Sequence, residues 1–243
     1  MPARSRASIY KPPFMVGGLQ PPSLEEEEEQ KRVSGQGVIF VLEDAQLEVA
    51  QVGKAFVLLN CDDHQNFLKK HDKDPALYRP DICHQALLAI LDSPLNKANK
   101  VKAVYIRTHK NVLISVNPKV RLPRTFKRFC GLFAQLLQKL SIRATNGPDK
   151  LLKVVKGPVT KYFPLDCKRI GFSWAATKRM SMQDYAKEQA DDKTFIFVVG
   201  AFAHGKIEAP WVDEEISVSE YPLSAAYALG RITNAFEQKW SIV

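Results

Sequence analysis

The sequence predicts an α/β fold with a largely parallel sheet, and three observations support this. Short apolar runs alternate with amphipathic stretches over residues 37–243. Two of the runs, residues 38–42 and 195–199, are apolar throughout, which is typical of strands covered on both faces. The chain has 243 residues, 45% of them hydrophobic, so it can bury a substantial core. Alternating strands and helices indicate a sheet with helices packed on its faces.

The strand predictions come from short apolar runs bounded by polar residues or glycine. His109, Lys110 and Asn111 separate two of these runs and predict a hairpin. The run at residues 57–59 is a further candidate strand. In chain order, the other predicted strands are residues 38–42, 104–106, 112–116, 151–155, 169–174, 195–199 and 216–218.

The clearest helical pattern covers residues 123–140, where large apolar residues recur at helical spacing. Pro123 suits the first turn of this helix. Arg124 and Arg128 are four residues apart, so they are expected to share another face. The apolar stripe consists of Phe126, Phe129, Phe133, Leu136, Leu137 and Leu140. Further helices are predicted over residues 82–91, 181–189 and 224–240.

Residues 1–36 are expected to form a disordered N-terminal tail. They are rich in proline and contain five consecutive glutamates at residues 25–29. Such a segment buries too little apolar area to offset the entropy lost on ordering. We interpret the glutamate run as a solvated linker, with a protein-binding tail as the alternative.

The basic charge is concentrated in one segment. Residues 93–148 contain no aspartate or glutamate but twelve of the 35 lysines and arginines, which leaves 23 cations against 26 acids elsewhere. A solvated face normally mixes both signs. A block of one sign this long indicates a surface for a polyanion, and nucleic acid is the favoured partner.

Several other classes are disfavoured. No apolar run is long enough to cross a bilayer, and the first residues lack the apolar stretch of a signal peptide, so no membrane partner is expected. Four widely spaced cysteines fit reduced thiols rather than a disulfide framework or a zinc site. Asp62, Asp63 and His64 offer an incomplete ligand set for a hard cation, so no metal is expected.

A glycine-rich loop follows the predicted strand at residues 195–199. Glycines at the carboxyl end of a strand in an α/β sheet let backbone groups approach a ligand closely. Gly200 to Lys206 also matches the G-x-x-x-x-G-K pattern of a phosphate-binding loop. Ile207 replaces the magnesium-binding Ser or Thr, and the next residues do not begin a helix, so the nucleoside triphosphatase interpretation is rejected.

A second loop, residues 219–224, follows the predicted strand at residues 216–218. Pro222 restricts its backbone, and Ser224 leads into the last helix. Two loops of this kind can clamp one small molecule. Taken alone, the Tyr-Pro-Leu-Ser string is also compatible with an ordinary helix entry.

Six strings in this order resemble one family: LLNCDDHQ (58–65), RPDICHQALLAILDSPLNKA (79–98), VNPKVRLPRTFKRFCGLFAQLLQKLSIRA (116–144), LLKVVKGPVT (151–160), VVGAFAHGK (198–206) and YPLSAA (221–226). The chain is similar, over nearly everything after residue 36, to the eukaryotic and archaeal small-subunit rRNA pseudouridine N1-methyltransferases of the SPOUT class. The resemblance implies an α/β SPOUT-type sheet with a deep C-terminal trefoil knot, plus a family-specific β-hairpin and basic helix insertion.

The same resemblance implies a methyltransferase domain at residues 37–243, with S-adenosyl-L-methionine (SAM) bound by residues of about 151–243. It also implies a homodimer that acts on small-subunit rRNA in the nucleolus, within the small-subunit processome. Glu220 departs from the Asn or similar polar residue of the family at this position, so it is expected to act through its backbone. Phe172 is larger than the aliphatic residue sometimes found at its position, and an ordinary core residue is the alternative interpretation of it. Carried over position by position, the cofactor residues are Phe172, Gly200, Gly205, Lys206, Val218, Ser219, Glu220, Tyr221, Pro222 and Leu223.

The implied RNA-binding residues are Arg79, Asp81, Arg121, Arg124 and Arg128. Asp81 is expected to orient Arg79, which contacts the target nucleotide; a simple surface salt bridge is the alternative. N1 of pseudouridine would attack the SAM methyl carbon directly. Asp81 is the candidate proton acceptor, but its pairing with Arg79 makes it a weak base, so the base stays unassigned. Two non-enzymatic alternatives are an assembly factor that grips pre-rRNA with SAM as a ligand, and a plain RNA-binding module.

Overall fold

A computed structural model describes Val33, residues 35–144, Gly147 and residues 149–243. Its centre is an eight-stranded sheet in the order β10-β8-β9-β1-β4-β5-β7-β6. The pairs from β10 to β4 are parallel, and those from β4 to β6 are antiparallel. The predicted α/β class with a mostly parallel sheet is confirmed. The strands are β1 Gly37–Ala45, β2 Val49–Val52, β3 Ala55–Leu58, β4 Val101–Thr108, β5 Leu113–Val116, β6 Ser141–Arg143, β7 Lys150–Val155, β8 Cys167–Phe172, β9 Thr194–Gly200 and β10 Glu214–Ile216.

Six α-helices surround the sheet within the described ranges. Ser181 caps α5 and Ser224 caps α6, each accepting a hydrogen bond from a backbone N–H of the first turn. The helices are α1 Gln65–Lys70, α2 Pro80–Leu91, α3 Pro94–Lys97, α4 Phe126–Lys139, α5 Met182–Glu188 and α6 Ala225–Lys239. In these ranges, no helix is long and apolar enough to span a membrane.

Strand β1 lies at the centre of the core, and both of its faces are covered. Val38, Phe40 and Leu42 pack in the larger apolar cluster, which includes α2, α4 and α6. Ile39 and Val41 pack in a second cluster on the other face of the sheet. Burial on both faces explains why this strand is apolar without alternation. Val33 is also buried in the second cluster, and the rest of residues 1–34 lies outside the described residues.

The predicted start of the basic helix was wrong. Helix α4 begins at Phe126, directly after Thr125, and Lys139 is its last residue. Leu140, which follows it, has a left-handed backbone conformation. Pro123 lies before the helix, where its carbonyl oxygen lies 2.8 Å from Nε2 of His84. Arg124 therefore precedes the helix and does not share a helical face with Arg128. Tertiary contact with α2, rather than the proline, sets this boundary.

Other differences concern short elements. The run at residues 57–59 corresponds to β3, which pairs with β2 in a separate two-stranded sheet and not in the central one. The strand predicted at residues 216–218 is observed at Glu214–Ile216. The Asn60 side chain accepts hydrogen bonds from the backbone N–H groups of Asp62 and Asp63, so this acidic turn introduces α1.

Candidate functional site

A cleft of about 690 Å³ opens at the carboxyl ends of β8, β9 and β10. This is where ligands bind in open α/β sheets. The two loops singled out in the sequence form its walls, and the start of α2 closes it on another side. The predicted cofactor residues that line it are Phe172, Gly200, Gly205, Lys206, Val218, Ser219, Tyr221, Pro222 and Leu223.

The glycine loop begins where β9 ends. Gly200 pairs in register with Glu43 of β1, and the N–H of Ala201 donates to the Glu43 carbonyl oxygen at 2.8 Å. A Cβ on Gly200 would lie 2.7 Å from the ring of Phe202, and Gly205 has a φ of +143°. Both glycines are therefore required to fold the loop around Phe202, a contact that the sequence did not reveal. No helix follows the loop, as expected.

The second loop is held by its own hydroxyls. Ser217 Oγ donates to the carbonyl oxygen of Ser219, and Ser219 Oγ accepts from the N–H of Tyr221. Trp174 Nε1 donates to the carbonyl oxygen of Glu220 at 3.0 Å. Glu220 is the one predicted cofactor residue that does not line the cleft, whereas its backbone holds Trp174 against the loop. Trp174 lines the cleft, and sequence reasoning missed it.

Phe172 forms part of the cleft wall at the end of β8. Its side chain is largely buried, and its ring packs edge-on against Phe197 with centroids 5.9 Å apart. One edge of the ring thus belongs to the core while the residue also faces the cleft. The two readings of Phe172, core residue and cofactor contact, are compatible in this position.

Arg79 and Asp81 line the same cleft from the start of α2. The guanidinium donates twice to the carboxylate, from Nε to Oδ1 at 2.8 Å and from Nη2 to Oδ2 at 2.7 Å. This hydrogen-bonded pairing raises the pKa of Arg79. Because Nε and Nη2 make these two bonds, Nη1 of Arg79 remains available for another acceptor. Ile82 and Gln85, on the same side of α2, are cleft residues that the sequence did not indicate.

Arg121, Arg124 and Arg128 are exposed and lie outside the cleft lining. Arg124 forms a salt bridge with Asp92 at the end of α2. Arg121 and Arg128 make no ion pair with any other residue in the described ranges. Among the residues that the structure describes, two of these three cations are thus free of an acidic partner.

The cleft brings a glycine loop, a proline loop and a guanidinium–carboxylate pair to one place. Backbone groups of two loops suit a polar small molecule, and the Arg79 guanidinium suits an anionic or base-like partner. Asp81 already accepts both hydrogen bonds from Arg79. His204 also lines the wall and is exposed.

Residues 40–237 match the family model for the EMG1/NEP1 methyltransferases. The chain is 46% identical over 241 residues to the human Ribosomal RNA small subunit methyltransferase NEP1, covering 96% of this chain and 97% of the relative. It is 44% identical over 211 residues to the Drosophila melanogaster protein of that name, covering 85% and 83%.

Among solved structures, Archaeoglobus fulgidus Nep1 bound to S-adenosylhomocysteine shares the fold. Its TM-score is 0.64 at 23% identity, and the match covers 84% of this chain and 99% of that one. The identities to the animal proteins extend over nearly the whole chain, and the family model spans the cleft, both loops and the Arg79–Asp81 pair. This chain belongs to the EMG1/NEP1 methyltransferase family.

Proposed function

We propose that this chain methylates N1 of a pseudouridine in small-subunit rRNA during ribosome biogenesis, with SAM as the methyl donor. The observation that carries the proposal is one cleft that joins the two predicted cofactor loops to Arg79 and Asp81. Relatives are named as small-subunit rRNA methyltransferases, and the archaeal structure of the same fold holds S-adenosylhomocysteine.

The cleft residues fit SAM. A cleft of about 690 Å³ lies within the range typical of small-molecule sites. Gly200, Gly205 and Lys206 would hold the molecule from one loop and residues 218–223 from the other, with Glu220 contributing only through its backbone. Phe172 would contact the adenosine. When bound, SAM supplies an electrophilic methyl group on a cationic sulfur, so the protein mainly has to position the two reactants.

The target nucleotide would enter from the side of Arg79. Its guanidinium, fixed by Asp81, can bind a phosphate or a base edge with the remaining N–H groups. The N1 proton must leave during transfer. Asp81 is the nearest carboxylate candidate, but protonation would cost its bonds to Arg79, so we leave the base unassigned. The base would be turned out of its loop to reach the cleft.

RNA flanking the target would bind the cations outside the cleft. Arg121 and Arg128 are exposed and available to phosphates. Arg124 would exchange its bond to Asp92 for a bond to phosphate, which makes it the weaker contributor of the three.

We propose in addition that residues 37–243 form one methyltransferase domain with the SAM site in about 151–243, and that its C-terminal half is knotted. The segment after β10 lies against the segment before α5: the N–H of Ser217 donates to Lys178, and that of Met180 donates to Ser217. The two segments thus run side by side through a parallel bridge between Arg179 and Ser217, an arrangement compatible with the proposed knot. An experimentally traced chain through residues 167–224 tests it. We further propose a homodimer that works in the nucleolus with the small-subunit processome.

The test is calorimetric titration of SAM followed by single-turnover transfer to a pseudouridine-containing loop RNA, with a uridine RNA as control. Pseudouridine presents N1–H where uridine presents a carbon, so only the first should be methylated. Equal methylation of both RNAs would contradict the N1 mechanism. The second candidate, an assembly factor, is favoured by the cations that lie outside the cleft; it predicts binding of RNA and SAM without transfer.

A further inference from the structure

A cationic surface lies at the amino ends of the parallel strands, at the opposite end of the sheet from the cleft. It is formed by the first part of residues 93–148, the segment without acidic residues, and by the residues that precede α4. Lys97, Lys119 and Arg121 are exposed, while Lys100 and Lys102 are partly exposed. We call these five residues the amino-end cationic surface: Lys97, Lys100, Lys102, Lys119 and Arg121.

Three hydrogen bonds hold this surface together. The N–H of Val38 at the start of β1 donates to the Lys100 carbonyl oxygen at 2.8 Å. The N–H of Lys100 donates to Leu95 of α3 at 3.1 Å. Asn96 Nδ2 donates to the carbonyl oxygen of Pro118 at 3.0 Å. The start of β1, α3 and the approach to α4 are therefore adjacent.

Two of the acids near this surface are already engaged, and a third, Asp192, is exposed two residues before Thr194, which pairs with Gly37. Asp92 pairs with Arg124, and Glu237 is buried and accepts a hydrogen bond from the N–H of Leu95. Within the described ranges, neither carboxylate offsets the five cations. The surface thus has an excess of positive charge that a mobile or tethered anion can neutralise.

The first strand begins at this surface. The Gln36 side-chain oxygen accepts a hydrogen bond from Lys100, and Gly37 lies against the side chain of Lys102. The tether of the five consecutive glutamates starts slightly earlier in the chain, at Val33, which is buried in the second cluster. The glutamate run ends four residues before Val33 and begins eight residues before it. At about 3.3–3.6 Å per extended residue, four residues reach at most about 14 Å and eight residues at most about 29 Å.

Charge and tethering favour the same contact. Residues 25–32 carry a net charge of −3, from five glutamates, Lys31 and Arg32. A short tether gives an effective concentration on the order of millimolar, so even a weak ionic contact is populated. Salt screens ionic contacts between surface charges, so the proposed contact must weaken as salt is added.

We propose that glutamates 25–29 bind the amino-end cationic surface when RNA is absent, and that RNA phosphates displace them. The contact itself does not depend on the proposed function; only the competition rests on RNA binding at this surface. The glutamates lower the affinity for every RNA by the same factor. RNA that binds through phosphates alone then falls below a useful affinity, while RNA also held in the cleft does not.

The contact is tested on the full chain without RNA by a zero-length carbodiimide, which joins a carboxylate to a nearby lysine amine. Crosslinks are expected from residues 25–29 to Lys97, Lys100 or Lys119, and they should disappear at about 1 M salt. Lys54 and Lys69, which follow the carboxyl end of β1 in the chain, serve as distant reporters. Equal crosslinking to these distant lysines overturns the proposal.

The competition is tested with a twelve-nucleotide oligouridylate and a variant in which all five glutamates are glutamine. The variant should bind this RNA about threefold to tenfold more tightly at about 50 mM salt, and less than about twofold more tightly at about 0.5 M. Unchanged affinity at low salt contradicts the proposal.

A matched pair controls for net charge. Glu27→Gln with Glu29→Gln removes two charges from the run. Asp72→Asn with Asp74→Asn removes two charges from the exposed turn that precedes the start of α2. Only the first pair should tighten binding, and equal effects sink the idea. If the unmodified chain binds no RNA even at low salt, the proposed function fails, while the crosslinks still decide whether the contact exists.

Discussion

Phe202 shows how much a single side chain can decide at the residue scale. Its ring occupies the space beside both Gly200 and Gly205, at 2.7 Å and 3.2 Å from where a Cβ would lie. The glycines are thus needed first to form the loop, and only through that to admit a ligand. A substitution at Gly200 acts on the cofactor site by displacing this ring.

Gly200→Ala is expected to lower SAM affinity at least about tenfold and to destabilise the fold by about 1–3 kcal/mol, because the added methyl overlaps the Phe202 ring. Calorimetric titration and denaturant unfolding measure the two effects. Gly131→Ala is the control, since Gly131 lies on the exposed face of α4 and an added Cβ would meet nothing within 4 Å. In this variant, stability should rise slightly and SAM affinity should stay the same. Normal SAM affinity in folded Gly200→Ala would refute the loop assignment.

Arg79 and Asp81 can be separated by their variants. Arg79→Ala should slow single-turnover transfer more than Asp81→Asn, by about 1–3 kcal/mol of lost contact to the nucleotide. Asp81→Asn retains one acceptor for the guanidinium and should cost less. Both should bind SAM normally, which calorimetry checks. If Asp81→Asn instead slows methyl transfer more than Arg79→Ala does, by a factor of about 10²–10⁴, then Asp81 is the general base.

At the element scale, the three-residue strand β10 depends on Glu214 for its attachment. The carboxylate binds Lys168 of β8 and Lys178 at 2.7 Å each, and it accepts a 2.7 Å hydrogen bond from Tyr185 of α5. Burial alone would raise the pKa of Glu214, but these partners outweigh it and lower the pKa to about 2. β10 leads directly into the second loop of the cleft, so this network positions that loop.

Glu214→Gln should lower the unfolding free energy by about 1–3 kcal/mol at neutral pH. Because the folded pKa is depressed, the stabilisation is complete above the ordinary value of 4.5 and is lost as the pH falls toward about 2. Urea unfolding at about pH 7 and pH 3 should therefore show a smaller difference at the lower pH. Glu215→Gln, the exposed neighbour, is the control. A difference independent of pH would contradict this account.

At the scale of the whole molecule, α6 joins distant parts of the chain. It is capped by Ser224 of the second loop, and Glu237 near its other end accepts a hydrogen bond from the N–H of Leu95 in α3. Near its start, Tyr227 is 59% exposed, close in sequence to Tyr221 at 73%. Trp174, at 58%, and Tyr221 line the cleft, so exposed aromatic rings lie at the cleft and on the first turn of α6, which is typical of an interaction surface.

We expect a homodimer that buries this aromatic area, so light scattering should give twice the mass of one chain. Tyr227→Glu should shift the equilibrium toward monomer, because an unpaired carboxylate would be buried in the interface. Leu165→Glu, at an apolar position that is even more exposed than Tyr227, should leave the mass unchanged. A monomeric unmodified chain at micromolar concentration would contradict the prediction.

The long, strongly patterned elements were predictable from sequence. Strands β1 and β9 follow from continuous apolar runs, and α4 follows from its apolar stripe, because burial dictates residue type there. Short elements such as β6 and α3 have too few residues for a period to be visible. The start of α4 could not be predicted, since the contact of Pro123 with His84 joins residues 39 positions apart.

The sequence by itself determined the α/β class, the concentration of basic charge in one segment and both loops of the cleft. These depend on residue type, local spacing and charge, which are properties of the chain in order. Only the tertiary structure decided that Arg79 and Asp81 share the cleft with those loops, that Trp174 and Gln85 line it, and that Arg124 is paired with Asp92. Such contacts follow from how α2 packs beside the carboxyl ends of β8, β9 and β10, and no local pattern encodes a distance between remote segments.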